Sequence, residues 1–432
     1  MYDWRARLFA VGFAVAAGGL AAGCQDALEA DSGRSLRPIP SETLALMDKL
    51  GTSPSAPMLI RTYKQEAELE IWKMKSDGQY ALLKTYPMCR WSGQLGPKLR
   101  EGDHQVPEGF YTIAPGQMNP NSHYYLSFNV GYPNAYDRAL GRTGGDIMVH
   151  GVCSSAGCYS MTDAQIAEIY AIAREAFNGG EPAIQMQSFP FHMTAENLAK
   201  HRLDPNIAFW KEIKNGADHF EATKTEPDVL VCGKHYVFGA HADHEVDASA
   251  PCPANLQRDD QVEAAVAEME TRDDAAVAAL VAQGVKPVKV VYQDGGQNAA
   301  FAGREDLDPS APEALATGPT VIPLDNAGKP LPPVVKVAAA AIPAAAPAAA
   351  ATPTAAPAAA AANAPGASPF GFLDAGKSFF GLGGGGAPQP QLKVFEPTQP
   401  IPTDAPLPPR RNAGLDARGP QAMAAPLRTN AD

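Results

Sequence analysis

The sequence has few cysteines, no dense block of lysine and arginine, and no apolar run beyond its N-terminal region that is long enough to cross a bilayer. Six of its 432 residues are cysteine, and its formal net charge is −12 at pH 7. Because nucleic-acid-binding proteins carry clustered positive charge, this composition argues against a nucleic-acid partner. Because a transmembrane helix needs about 20 apolar residues, no membrane span is expected after the N-terminal region.

The first 24 residues are typical of an export signal. Two arginines precede an apolar run from Leu8 to Gly23 that is too short to span a bilayer comfortably. The run ends in Leu-Ala-Ala-Gly-Cys at positions 20–24, which resembles a bacterial lipobox, where Cys24 becomes the acylated first residue. Lipidation, ordinary cleavage and secretion, and an uncleaved anchor all remain open. We expect an exported, periplasmic protein, anchored to a membrane if Cys24 is acylated.

One short loop brings a histidine and a glycine-flanked cysteine close together in sequence. Residues 147–159 read Ile-Met-Val-His-Gly-Val-Cys-Ser-Ser-Ala-Gly-Cys-Tyr, so that Cys158 follows His150 by eight positions. A thiol has an ordinary pKa of about 8.5 and becomes a good nucleophile when a neighbouring imidazolium favours the thiolate. We therefore expect Cys158 to be a nucleophile and His150 its base. The backbone N–H groups of Gly157, Cys158 and Tyr159 are candidates to hold an oxyanion.

The remaining cysteines are candidates for disulfides, because export leads to an oxidising compartment. If Cys24 is acylated and Cys158 is reactive, four others remain. We predict the pairs Cys89–Cys153 and Cys232–Cys252, although the sequence alone leaves the other connectivities open. A bridge at Cys153 would hold the loop that presents Cys158. The alternative is that Cys153 is only a small buried residue.

The uneven distribution of 40 prolines and 39 glycines divides the chain. Residues 25–55 read as a polar tether with one short helix from Ser41 to Gly51, and residues 56–245 as a globular domain that can bury one core. Residues 246–308 form an acidic helical extension, whose helix either docks on the domain or self-associates. Residues 309–432 are rich in Ala, Pro and Gly and lack the apolar residues that a core needs, which predicts a disordered tail.

Within the globular domain, apolar periodicity predicts an α+β fold that is mostly β with a few helices. Strands are expected at residues 58–63, 69–74, 80–86, 110–113, 124–130, 147–150, 184–189 and 236–238. Helices are expected from a capping box at Thr162 to Asn178, from Thr194 to His201 and from Pro205 to Lys214, with a further one at residues 259–283 of the extension.

The domain resembles a YkuD-type L,D-transpeptidase catalytic domain and, within that group, the YafK-like branch of periplasmic murein enzymes. The resemblance covers residues 57–245. The matching stretches are Cys-Arg-Trp-Ser-Gly-Gln-Leu-Gly-Pro-Lys at 89–98, Gly-Asp at 102–103, Pro-Glu-Gly-Phe-Tyr at 107–111, Tyr-Pro-Asn-Ala-Tyr-Asp-Arg at 132–138, the loop at 150–161, Tyr170, Ser-Phe-Pro-Phe-His-Met-Thr at 188–194 and Phe-Trp at 209–210.

This resemblance implies that Cys158 attacks the diaminopimelate carbonyl of a peptidoglycan stem peptide, that His150 takes its proton, and that the Gly151 carbonyl orients the imidazole. The resulting thioester passes its acyl group to an amine, giving a crosslink or a wall-attached protein, or to water. Since the YafK-like branch includes enzymes that detach a wall-bound lipoprotein, hydrolysis is the alternative activity. The implied partners are stem peptides and a wall-attached lipoprotein or outer-membrane protein. No cofactor is expected.

The loop departs from the common family pattern, which has a longer spacer after the histidine and then Ser/Thr-His-Gly-Cys. Here the interval is eight residues, and Ala156 stands where the second histidine would be. The YafK-like branch shares the short interval, but the usual lid over the acyl-donor site is no longer expected. Ser155 and Tyr136 are further candidates for substrate binding. Arg138 either pairs with a substrate carboxylate or ties loops together.

Two other function classes remain open. The run His-Ala-Asp-His at 241–244, Cys232 with His235, and Cys153 with Cys158 contain zinc-ligand residue types, but their spacings form no coherent four-ligand site, and we predict no metal. A non-catalytic wall-binding lipoprotein would hold stem peptides in the same cleft without turning them over. The presence of both His150 and Cys158 argues against this class.

Overall fold

The structure is a computed structural model and describes residues 33–332. The predicted export signal, with the lipidation candidate Cys24, lies outside the described residues. The same holds for residues 333–432, which make up most of the predicted tail.

The described residues form a mixed α+β fold, as the sequence predicts. In chain order, the strands are β1 (Met58–Tyr63), β2 (Glu68–Met74), β3 (Tyr80–Pro87), β4 (Arg90–Trp91), β5 (Gly109–Ile113), β6 (Met118–Asn119), β7 (Ser127–Asn129), β8 (Met148–His150), β9 (Tyr159–Ser160), β10 (Ile184–Phe189), β11 (Val229–Cys232), β12 (His235–Phe238), β13 (Ala240–His241), β14 (Gln257–Arg258), β15 (Val288–Val291) and β16 (Thr320–Pro323). The α-helices are α1 (Ser41–Leu50), α2 (Ala135–Ala139), α3 (Asp163–Asn178), α4 (Ala195–His201), α5 (Ile207–Thr223), α6 (Asp260–Ala282) and α7 (Pro312–Thr317).

Ten of these strands form two five-stranded sheets. The first sheet has the order β3-β2-β1-β10-β5, and the second has the order β4-β9-β8-β7-β6. Strand β1 is buried at every position, because it is central in its sheet and both of its faces are covered. In the second sheet, β8 and β9 pair in parallel, whereas the other pairs are antiparallel.

The main core contains side chains from both sheets and from α3. Helix α3 starts where the capping box predicts, since the Thr162 side chain accepts a hydrogen bond from the backbone N–H of Gln165. Its apolar residues recur at helical spacing, and Ile166, Ile169 and Tyr170 are buried against the sheets. This helix therefore fixes the position of the chain that leads into it from the second sheet.

A second core lies around α5 and the β11–β12 hairpin. The sequence predicts an end for α5 near Lys214, but the helix continues for two more turns. Gly216 does not end it, because a Cβ at this position would lie 2.5 Å from ring atoms of Phe110 and Phe238. The glycine therefore allows close packing of the helix on aromatic rings. Local sequence does not distinguish this role from a helix stop.

The predicted tether is part of the folded domain over most of its length. Ile39 and Met47 lie in the main core, and the Thr43 hydroxyl donates a hydrogen bond to Glu168 of α3. Arg34 donates hydrogen bonds to two backbone carbonyls of the loop before β7, at 3.2 and 3.3 Å. The polar composition of this segment reflects one exposed face of α1, whereas the opposite face is buried.

The acidic extension docks on the domain. Helix α6 lies against α4 and α5. Val277 packs on the second core, and two ion pairs join α6 to α5: Lys214 with Asp273 at 2.8 Å and Lys211 with Asp274 at 3.3 Å. Ordered structure also continues past residue 309, where the sequence places the start of the tail. Residues 312–317 form α7, and β16 pairs with β15, because β-branched residues around Val321 favour a strand. Among the described residues, no helix combines the length and apolarity needed to span a bilayer.

Candidate active site

The parallel pair β8–β9 sets the relative position of His150 and Cys158. In this pair Val149 lies opposite Tyr159, and His150 lies opposite Ser160. Cys158 directly precedes β9, and its sulfur accepts a hydrogen bond from the backbone N–H of Met148 at 3.4 Å. Because side chains alternate along a strand, this register directs Cys158 and His150 to the same face of the sheet. The short strand β9 separates Cys158 from α3.

His150 is buried at the end of β8 and has a fixed tautomer. Its Nδ1 lies 2.7 Å from the carbonyl oxygen of Gly151. Since a carbonyl oxygen only accepts, Nδ1 carries the proton and Nε2 of the neutral ring carries a lone pair. The half-exposed ring of Tyr124 lies against the imidazole, with centroids 4.6 Å apart. Burial lowers the pKa of His150 to about 4, so the ring is neutral at pH 7.

The Cys158 thiol is not part of a disulfide. Burial raises its pKa above the ordinary value, while the Met148 N–H and the Lys98 ammonium act in the opposite direction and Asp146 adds to the increase. With a neutral imidazole and a thiol of raised pKa, the resting pair is uncharged at neutral pH. The expected thiolate–imidazolium pair is therefore not the resting state of this structure, because both groups have lost much of the solvent that would stabilise their charges.

The chain turns sharply between β8 and the cysteine. Only glycine fits at position 151, because a Cβ there would lie 2.6 Å from a carboxylate oxygen of Asp163 and 3.0 Å from the carbonyl oxygen of Tyr124. The next residue, Val152, has a φ of 74°, which is rare for a β-branched residue and costs about 1–3 kcal/mol. Asp163 holds this conformation by accepting the Val152 N–H at 2.9 Å, and the disulfide at Cys153 follows directly.

Ser155 organises the rest of the loop. Its hydroxyl oxygen accepts the backbone N–H groups of Gly157 at 3.2 Å and Cys158 at 3.0 Å, and it donates to the carbonyl oxygen of Cys158 at 2.6 Å. Two of the N–H groups expected to hold an oxyanion are therefore engaged by Ser155 in this structure. The side chain of Tyr159 is buried in the core, where its hydroxyl contacts Pro107 and Ser188 at 2.5 Å each.

In their described contacts, Tyr136 and Arg138 lie away from the loop of residues 150–158, called the reactive loop here. Tyr136 is buried in the second core and stacks on Tyr236, with ring centroids 4.3 Å apart. Arg138 is exposed on α2 and donates a hydrogen bond to the backbone carbonyl of Pro133. Tyr136 therefore serves packing rather than lining the cleft, and the contact of Arg138 is local.

Four cysteines form two disulfides. Cys89 is joined to Cys153, and Cys232 to Cys252, with Cα–Cα distances of 5.4 and 4.9 Å. These bonds remove Cys153 and Cys232 as thiolate ligands for a metal. Across residues 33–332, no three His, Cys, Asp or Glu side chains are grouped so that they could hold a metal ion.

Lys98 acts electrostatically on Cys158, which the sequence does not predict. Its ammonium is almost fully buried, pairs with Asp103 at 2.5 Å and donates to the carbonyl oxygen of Arg100 at 3.0 Å. Its charge partly opposes the increase that burial causes in the pKa of Cys158. Lys98 belongs to one of the stretches that carry the family resemblance, but nothing in its local sequence indicates that its charge acts on a cysteine 60 positions later.

Known protein families and proteins include relatives of this chain. A family model described as the L,D-transpeptidase catalytic domain, YkuD, matches residues 67–179. The protein named "Putative L,D-transpeptidase YafK" from Escherichia coli, in strains K12 and O157:H7, is 42% identical over 191 residues, which cover 44% of this chain and 77% of that protein. The crystal structure of the helical cell shape determining protein Pgp2 from Campylobacter jejuni covers 67% of this chain and 96% of its own at 13% identity, but its TM-score of 0.26 is too low to support an argument. The chain belongs to the YkuD family of L,D-transpeptidases, in its YafK-like branch.

Proposed function

We propose that this protein is a periplasmic, cysteine-dependent acyl-transfer enzyme that acts on the diaminopimelate carbonyl of peptidoglycan stem peptides. The observation that carries this proposal is the arrangement at β8 and β9. The ladder directs Cys158 and His150 to one face, and the bond from Nδ1 to Gly151 leaves the lone pair of Nε2 available as a base. A free thiol on the same face of the sheet as such an imidazole is suited to nucleophilic catalysis.

The first half-reaction forms a thioester. The sulfur of Cys158 attacks the carbonyl carbon while His150 Nε2 takes the thiol proton, so that proton transfer accompanies attack on a resting pair without charge. The C–S bond forms, and the carbonyl oxygen becomes an oxyanion. Collapse of this intermediate breaks the C–N bond, and the leaving amine takes the proton from His150. The enzyme is then acylated, and its imidazole is neutral again.

The second half-reaction depends on the acceptor. An amine that attacks the thioester gives a crosslink or a wall-attached protein, whereas water gives hydrolysis. In both cases His150 takes a proton from the attacking group and returns it to the sulfur, which restores the thiol. The hydrolytic reaction would detach a wall-bound protein from peptidoglycan.

The oxyanion requires N–H donors, and Ser155 occupies two candidates in this structure. We infer that the substrate oxygen shares or replaces the Ser155 hydroxyl at the N–H groups of Gly157 and Cys158 when the tetrahedral intermediate forms. Ser155 therefore holds these two N–H groups in place before the substrate binds. Removing one such donor typically reduces the rate by about 10²- to 10³-fold.

Incubation of the purified protein with intact sacculi tests this proposal, with the Cys158→Ala protein as the control. Mass spectrometry of the fragments gives newly joined stems for an acyl transferase and only released fragments for a hydrolase. Sacculus binding without a chemical product would instead support a non-catalytic wall-binding lipoprotein. Product from the Cys158→Ala protein at the wild-type yield would overturn the assignment of the nucleophile.

Export and anchoring form a separate part of the proposal. We propose that Cys24 becomes the acylated first residue of the mature chain, which would hold the enzyme on a membrane facing the wall. Mass spectrometry of the N-terminal peptide from fractionated cells tests this. A mature chain that begins at another residue, or a Cys24 without lipid, would exclude the anchor.

A further inference from the structure

Residues 292–310, called the strap here, lie outside the matched family model and cover the strand next to the reactive loop. Tyr292 packs edge-on against Trp91 of β4, with ring centroids 4.9 Å apart. The Gln94 side chain makes both possible hydrogen bonds with the backbone of Tyr292, at 2.6 and 2.9 Å. A Cβ at Gly295 would lie 1.9 Å from the Trp91 carbonyl oxygen. Only glycine therefore allows the strap to lie this close to β4.

Arg90 ties the two halves of the strap to β4. This arginine is fully buried. It pairs with the Asp294 carboxylate at 2.6 Å and donates from Nε to the carbonyl oxygen of Ser310 at 2.9 Å. Between these two points, Phe301 is buried against the Cys89–Cys153 disulfide. The strap is therefore attached at its start, at its middle and at its end.

The end of the strap contacts the reactive loop directly. The Ser310 hydroxyl accepts the backbone N–H of Ser155 at 2.9 Å and lies 3.3 Å from the carbonyl oxygen of the same residue. The backbone N–H of Ser310 lies 3.4 Å from the carbonyl oxygen of Cys153. Since the Ser155 hydroxyl accepts the N–H of Cys158, two hydrogen-bonded steps connect Ser310 to the backbone of the nucleophile.

We propose that the strap holds the loop of residues 153–158 in its reactive conformation, and that Ser310 is a positioning residue for Cys158. Ser310 acts through Ser155 and touches neither the sulfur nor the imidazole in the described contacts. Loss of its hydroxyl leaves the Ser155 N–H without an acceptor in a partly buried loop. The loop then samples conformations in which Cys158 is more exposed and less well placed for attack. The effect on turnover rests on the proposed function, whereas the effect on the loop does not.

The test compares Ser310→Ala with Ser310→Thr and with Thr317→Ala in the full-length protein. Thr317 is an exposed hydroxyl residue in the same C-terminal region and bonds within its own helix, which makes it a matched control. In Ser310→Ala we expect faster amide hydrogen exchange at residues 153–159 and faster alkylation of Cys158 by iodoacetamide. Turnover should fall roughly tenfold, as the loss of one such hydrogen bond predicts. Ser310→Thr keeps the hydroxyl, so its amide exchange, alkylation rate and turnover should be close to those of the wild-type protein. Thr317→Ala should change none of these three measurements.

Faster alkylation together with lower turnover in Ser310→Ala indicates that Ser310 positions the loop. Thermal unfolding of the same samples shows whether the whole protein has been destabilised instead. Unchanged amide exchange in the loop of Ser310→Ala would overturn the proposal, whatever happens to turnover. The same conclusion would follow if turnover and alkylation fell together, or if Ser310→Thr behaved as Ser310→Ala. If the wild-type protein turned over no peptidoglycan, the proposed function would fail, but hydrogen exchange and alkylation would still decide the role of the strap.

Discussion

His150 donates its Nδ1 proton to the carbonyl oxygen of the next residue in the chain, Gly151, at 2.7 Å. This contact uses main chain rather than another side chain to orient the imidazole. It fixes the tautomer, because an oxygen of this kind cannot donate in return. It also requires the backbone at residue 151 to stay where the tight packing around it has placed it.

The two proposed reacting groups should both be indispensable. We expect Cys158→Ala and His150→Ala each to abolish turnover of a muropeptide that contains diaminopimelate, because the first removes the nucleophile and the second removes its base. Mass spectrometry of products and circular dichroism of the proteins measure the two effects. His244→Ala, which removes an exposed histidine, serves as the control and should be fully active. Wild-type product yields from either active-site variant would refute the assignment.

The dependence of turnover on pH should follow the low pKa of His150. Burial lowers that pKa to about 4, so Nε2 accepts a proton throughout the neutral range and loses this ability only as the pH falls through about 4. Burial also raises the pKa of Cys158, so the thiol keeps its proton in the same range. We expect kcat/KM to be flat from about pH 5 to about pH 9. A resting thiolate–imidazolium pair would instead lose activity on the alkaline side, as the imidazolium loses its proton near or above the ordinary histidine pKa.

The stability of the protein must be measured over the same pH range, because protonation of His150 also affects folding. Between the ordinary histidine pKa of 6.5 and the folded value of about 4, the unfolded chain binds a proton at His150 that the folded chain does not. The contribution of His150 to the free energy of unfolding is therefore fully present above pH 6.5. It falls as the pH is lowered toward 4. Circular dichroism at each pH separates this loss of stability from loss of the base.

Lys98 should control the reactivity of the thiol. In Lys98→Met the ammonium is lost while Asp103 keeps its negative charge, so the pKa of Cys158 should rise further. We expect alkylation of Cys158 at pH 8 to slow by roughly two- to tenfold, as expected for one charge in a partly screened site. Lys98→Arg keeps the charge and should react at nearly the wild-type rate. An unchanged or faster reaction of Lys98→Met would contradict this role.

Gly151 should not tolerate a larger side chain. Gly151→Ala places a methyl group against Asp163 and the Tyr124 carbonyl oxygen, so the end of β8 must shift. We expect the free energy of unfolding to fall by about 1–3 kcal/mol and kcat to fall with it. Urea titration and steady-state kinetics measure these changes. Gly116→Ala, at a position where a Cβ meets nothing within 4 Å, is the matched control. Equal behaviour of the two variants would show that the close approach at residue 151 is unimportant.

One thiol should be reactive in the folded domain. We expect alkylation without reductant, followed by peptide mapping, to label Cys158 and none of the other four cysteines in residues 33–332, because those four form disulfides. Denaturation without reduction should not increase the number of labelled sites. Labelling of a second cysteine in the native protein would contradict the pairing.

The sequence predicts those parts of the molecule that depend on neighbours along the chain. The capping box at Thr162 predicts the start of α3, because the hydrogen bond that it describes joins residues three positions apart. The loop from His150 to Cys158 is equally local. By contrast, the contacts of Arg90 with Asp294 and Ser310 join residues 204 and 220 positions apart, and no periodicity indicates them.

The sequence does not predict protonation states or the burial of single side chains, because both depend on residues that are distant along the chain. Tyr136 reads as a cleft residue until Tyr236 and the second core are seen to cover it. The low pKa of His150 likewise follows from burial by residues distant in sequence. The apolar face of α1 is short, so its docking on the main core through Met47 could not be distinguished from a helix in a tether.

The parallel ladder between β8 and β9 has a consequence for how such an enzyme can diversify. Main-chain hydrogen bonds of a sheet, rather than contacts between variable side chains, set the relative position of Cys158 and His150, the proposed nucleophile and base. Surrounding loops are therefore free to exchange residues and admit different acyl acceptors, since the reactive pair keeps its alignment throughout. New specificities can arise on this scaffold by peripheral change alone, with the bond-making machinery inherited intact.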